Sequence, residues 1–106
     1  MKPSVAIRKT LKKEEILVRL KQHKDELQQK FPIVSLALFG SYARGDENPE
    51  SDIDIMIELS EPMGWDFVDI VEYLETVFEG NKIDLISKGG IKPKMWPYIE
   101  EDVIYV

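Results

Sequence analysis

The chain has 106 residues, 43% of them hydrophobic, which suits one globular domain spanning residues 1–106 and leaves no room for a second. Its 14 Lys and Arg against 20 Asp and Glu give a net charge of −6, which argues against direct nucleic-acid binding; the lack of cysteine excludes disulfides, thiolate zinc sites and thiol nucleophiles. No run approaches the roughly 18 apolar residues of a membrane span, and the opening MKPSVAIRKTLKKEE lacks the apolar core of a signal peptide, so a cytoplasmic protein with no membrane partner is expected.

Charge is unevenly divided. Residues 1–32 carry nine Lys/Arg against four Asp/Glu, net +5, whereas residues 33–106 carry five against sixteen, net −11. In chain order, this basic N-terminal segment comes first. Within it, residues 11–30 space Ile16, Leu17, Leu20, Leu27 and then Phe31 by three, four and seven, the pattern of an amphipathic helix that Phe31-Pro32 ends. The run IVSLALFG (33–40) is a short buried strand stopped by Gly40. After a polar stretch with Gly45, Asn48 and Pro49, residues 51–59 alternate polar and apolar and then turn apolar, as a strand entering a core would.

Residues 65–80 set Phe67, Ile70, Val71, Leu74, Val77 and Phe78 on one helical face, with Asp66, Asp69, Glu72, Glu75 and Glu79 opposite. A third strand follows at 82–87, then a Gly89-Gly90 turn, a short helix from about Lys94 to Asp102 with Pro97 in its first turn, and a stub of strand. The order predicts an α+β fold: a small mixed β-sheet flanked by helices.

Three carboxylates stand out. Asp52 and Asp54, two apart on a strand, project from the same face with Cα atoms about 6–7 Å apart, and Asp84 repeats the pattern in the third strand. If those strands are neighbours, the three converge and must either take up protons or bind a cation; an all-oxygen set selects Mg²⁺ or Mn²⁺. Read singly, the same residues also serve as turn, cap and edge charges. Upstream, Gly40-Ser41 closes the first strand, and Tyr42-Ala43-Arg44-Gly45 can form a helical turn whose backbone N–H groups and Ser hydroxyl would admit phosphate oxygens. An ordinary strand-to-helix turn with Ser as N-cap uses the same residues.

The stretch GSYARGDENPESDIDIMIEL (40–59) resembles the signature of the DNA polymerase beta-type nucleotidyltransferase superfamily: a Gly-Ser turn, an Ala-Arg-Gly, a short loop, then Ser-Asp-x-Asp on a strand. Its brevity and Ala-Arg-Gly resemble the minimal nucleotidyltransferases, antitoxins encoded beside HEPN-domain toxins. The resemblance implies the polymerase beta-like fold, with Gly40 and Ser41 holding the triphosphate of ATP or another NTP. It further implies that Asp52 and Asp54 bind two Mg²⁺ ions (Mn²⁺ being the alternative), and that Asp84 completes the metal and catalytic site and helps activate the acceptor hydroxyl. Arg44 suits a phosphate contact, a clamp on loop 46–50 or a structural ion pair.

The implied activity is transfer of AMP to a hydroxyl, with a HEPN toxin as the acceptor's candidate. No room remains for the substrate-gripping domain of larger superfamily members, so the partner itself is expected to present the acceptor. The rivals are a non-catalytic masking antitoxin and a small-molecule nucleotidyltransferase of the antibiotic-modifying kind. Lone His23 is expected to face solvent without a role, and the lysines of the N-terminal segment to form a solvated face. Trp65, Trp96 and Tyr98, at element ends, read as core or rim packing.

Overall fold

The computed structural model describes residues 11–106. The elements run α1 (Lys13–Lys30), β1 (Ile33–Phe39), α2 (Gly40–Arg44), β2 (Ile53–Leu59), α3 (Asp66–Val77), β3 (Ile83–Ser87), a 3₁₀ turn (Lys88–Gly90), α4 (Trp96–Glu100) and β4 (Ile104–Tyr105). The sheet order is β3-β2-β1-β4. β1 pairs antiparallel with both β2 and β4, while β2 and β3 are parallel, joined through α3. This is the mixed sheet with flanking helices that the apolar spacing predicts; residues 1–10 of the basic segment lie outside the described residues.

The core lies on one face of the sheet. Ile16, Leu20 and Leu27 of α1 and Ile70 and Leu74 of α3, with Phe78 just beyond, bury against Leu36 and Leu38 of β1 and Ile55 and Ile57 of β2. Because strand side chains alternate, Ala37 and Met56, which pair across β1 and β2, point to the other face, where both are also buried. The 3₁₀ turn packs against β2. Cutting Leu20 to Ala would leave a cavity between α1 and the sheet at a cost of about 2–5 kcal/mol.

Two cations of the basic segment reach the acidic part of the chain. Arg19 Nη1 donates to the Val77 carbonyl and to Glu79 Oε2, each at 3.0 Å, and Lys24 Nζ donates to the Val106 carbonyl at 2.8 Å. His23 is half-buried with Nδ1 2.9 Å from the Tyr73 hydroxyl, which donates to Glu26. It therefore belongs to the α1–α3 clasp, which the solvent-facing reading missed because Tyr73 is 50 residues away. Burial and the Glu26 carboxylate push the Tyr73 hydroxyl up to about 12. Among the described residues, no helix is long and apolar enough to cross a membrane.

Candidate active site

Strand register gathers the chemistry at one sheet edge. Phe39, the last residue of β1, pairs with Asp54, and Asp54 pairs with Asp84 across the parallel β2–β3 ladder. Register partners on adjacent strands lie about 5 Å apart and share a face, so both carboxylates stand side by side. Gly40 then turns the chain into α2 with φ +77°, a conformation that costs an L side chain about 1–2 kcal/mol. A Cβ there would collide with Asp54, coming within 2.8 Å of its Cγ. Gly40 is thus required by the Asp54 carboxyl as well as by the turn. Ser41 is half-buried in α2, and its hydroxyl has no partner among the described residues.

The electrostatics follow from this crowding. Burial, the adjoining Asp84 carboxyl and the nearby Asp52 charge push Asp54 from 3.8 to about 7, with Arg44 acting in the opposite direction. Asp52, just before β2, sits 4.0 Å from Lys82 Nζ, a neighbour created by the Ile53 N–H bonding the Lys82 carbonyl at 2.9 Å. Among the described residues, no three carboxylate, histidine or cysteine side chains stand ready-made around an ion position. Asp54 and Asp84 are drawn together, and Asp52 takes its counter-charge from Lys82. The donor set nonetheless fits a hard cation: two carboxyl groups compressed until one holds a proton near neutrality offer a cation the place of that proton.

Arg44 forms a clamp. Its Nε bonds Asp46 Oδ2 at 3.1 Å and its Nη1 bonds Asp102 Oδ2 at 2.9 Å, tying α2 to the following loop and to the C-terminal segment. Those two carboxylates raise its already high pKa. Trp65 is 91% exposed, so it packs in neither core nor rim, while Trp96 carries the Lys88 ammonium 5.0 Å from its ring centre. Lys82, Asp46 and Asp102 are the site's neighbours that spacing could not reveal. Lys82 alone left a signal, being the cation two residues before Asp84.

The Gly-Ser turn between β1 and α2 thus stands beside paired carboxylates on adjacent strands. The chain belongs to the nucleotidyltransferase domain family, whose model matches residues 20–106, and it is an enzyme of that class. A Methanocaldococcus jannaschii protein provisionally named a protein adenylyltransferase, MJ1379, is 48% identical over 96 residues, covering 87% of this chain and 95% of that one. Protein adenylyltransferase MntA of Thermococcus cleftensis is 36% identical over 94 residues, covering 88% and 94%. Among solved structures, a tri-AMPylated Shewanella oneidensis HEPN toxin in complex with its MNT antitoxin superposes with a TM-score of 0.62 at 15% identity, covering 85% of this chain and 70% of that one. At that identity the likeness establishes the fold.

Proposed function

We propose that this protein transfers AMP from ATP to a hydroxyl on a partner protein, that the partner is a HEPN toxin, and that it thereby acts as an antitoxin in the cytoplasm, where ATP is supplied. The observation that carries the reading is the Asp54–Asp84 pair set beside the Gly40-Ser41 turn. The relatives named as protein adenylyltransferases support protein as the acceptor class, and the toxin complex supports the partner.

In this reading Gly40 and Ser41 receive the triphosphate, Gly40 making the turn beside Asp54 and the unengaged Ser41 hydroxyl meeting the phosphate oxygens. Asp52, Asp54 and Asp84 would hold two Mg²⁺ or Mn²⁺ ions, which when bound neutralise phosphate charge and lower the pKa of the attacking hydroxyl. Asp84, on the outer strand β3 and exposed, is open to an acceptor from solvent. The acceptor oxygen bonds the α-phosphorus, the bond from that phosphorus to the bridging oxygen breaks, and pyrophosphate leaves with the electron pair. The hydroxyl proton passes toward the Asp84 carboxylate and on to solvent. Arg44 holds the loop and tail around α2 and adds positive potential where the phosphates lie.

ATP labelled at either the α- or the γ-phosphate tests this. Transfer of the α label to the partner with release of pyrophosphate is expected. Transfer of the γ label, or of neither, contradicts it.

A further inference from the structure

The acidic part of the chain concentrates its few cations. Of the five Lys/Arg in residues 33–106, four (Lys82, Lys88, Lys92 and Lys94) fall within residues 82–94, where Asp84 is the single acid. Lys82 faces Asp52. Lys88, Lys92 and Lys94 form no ion pair among the described residues. Beside them, Lys88, Ile91, Pro93 and Trp96 line an open concavity of about 250 Å³, room for one apolar side chain, and Tyr98 in α4 is 72% exposed.

Position links this surface to the site. Asp84 and Ile86 share a face by strand alternation, and Lys88 continues from the end of β3, so the concavity begins four residues from Asp84, about 13 Å away. An extended peptide covers that distance in about four residues. Lys88 at the edge of a concavity lined by Ile91, Pro93 and Trp96, with exposed Lys92 and Lys94 adjoining it in the chain, complements a segment carrying carboxylates and one aliphatic or aromatic side chain. RNA is the poorer match: Lys88 already occupies a position over the Trp96 ring, Ile91 and Pro93 offer no stacking platform, and the chain's net charge is −6.

We propose that the β3–α4 connection is a docking surface for an acidic segment of the acceptor protein, anchored by one apolar side chain about four residues from the hydroxyl to be modified. The inference rests on the transfer reading above, and it deepens that reading by assigning the chemistry of the acceptor's flank.

The test uses the full chain with Trp65→Phe, which leaves Trp96 as the sole tryptophan, and the same chain carrying Lys92→Glu and Lys94→Glu. Both lysines are exposed and outside the catalytic machinery, so folding and ATP binding should be unaffected. The probes are a short synthetic peptide with Asp and Glu around one Leu, its counterpart with Lys replacing the acids, and a short polyuridine. The acidic peptide should change Trp96 emission and bind about tenfold more weakly to the double-Glu chain, with ATP affinity in Mg²⁺ equal in the two. Equal binding to both chains, binding of the Lys peptide as tight as the acidic one, or preference for polyuridine overturns the docking surface. Failure of ATP to bind either chain, with the peptide result intact, instead removes the transfer reading on which its role depends.

Discussion

Asp54→Asn isolates the strain that prepares the site. In metal-free protein the Asp54 carboxyl is held at about 7 against an ordinary 3.8, chiefly by burial and then by Asp84. A carboxyl whose folded pKa is raised binds its proton more tightly in the folded state, so stability is lost as pH rises from about 4 to about 7 and stays low above. The full distance between the two values corresponds to ~4 kcal/mol; the carboxyl is half-open to solvent, which screens its charge, leaving about 1–2 kcal/mol. Asparagine is nearly isosteric and never ionises. The variant should therefore be more stable than the parent at pH 8 in EDTA by about 1–2 kcal/mol, raising Tm by roughly 5–10 °C in a domain of this size, with the difference shrinking as pH falls and vanishing only below 3.8. Adding Mg²⁺ and ATP should stabilise the parent and leave the variant unmoved. Thermal melts at pH 8 and below pH 3.8, with and without metal, decide it. A variant less stable than the parent at both pH values in EDTA would show that the carboxylate is a structural hydrogen-bond partner, and the reasoning from crowding would be refuted.

Gly40→Ala places a methyl group against Asp54 in a positive-φ turn, so stability should drop by roughly 1–2 kcal/mol and transfer should be lost; calorimetric ATP titration and melting together would expose an unperturbed site as the contrary result. Asp84→Asn should retain most nucleotide affinity while transfer falls about a hundredfold or more, read by α-phosphate label on the partner; equal loss of both would place Asp84 on the triphosphate instead. Arg44→Gln should free loop 46–50 and the C-terminal segment to limited proteolysis and weaken ATP binding a few-fold with little change in Tm; unchanged ATP affinity would reduce Arg44 to a clamp. Chelating divalent ions with EDTA should abolish ATP binding by the parent, as calorimetry would show, because carboxylates and triphosphate then repel each other.

Much of this was legible because burial imposes periodicity. Ile16, Leu20 and Leu27, and Ile70 and Leu74, recur at helical spacing since each must face the same sheet. Asp54 beside Asp84 was legible only conditionally: alternation fixes which face each occupies, but pairing Ile53 with Ile83 is a property of the assembled β2–β3 ladder. The same limit hid Arg44's bond to Asp102, which spans 58 residues, and the placement of two-residue β4 against β1. Gly40 shows a different gap. A turn explains a glycine there, yet the stronger constraint is a carboxylate from another strand occupying the space a side chain would need.

The central claim is that the paired carboxylates perform transfer, and the intact mass of a HEPN partner after incubation with this protein, ATP and Mg²⁺ tests it most directly. The partner should gain AMP with the parent chain and little or none with Asp84→Asn. A partner that is silenced without gaining AMP, and silenced equally by Asp84→Asn, would contradict the account and identify a protein that neutralises its partner by binding alone.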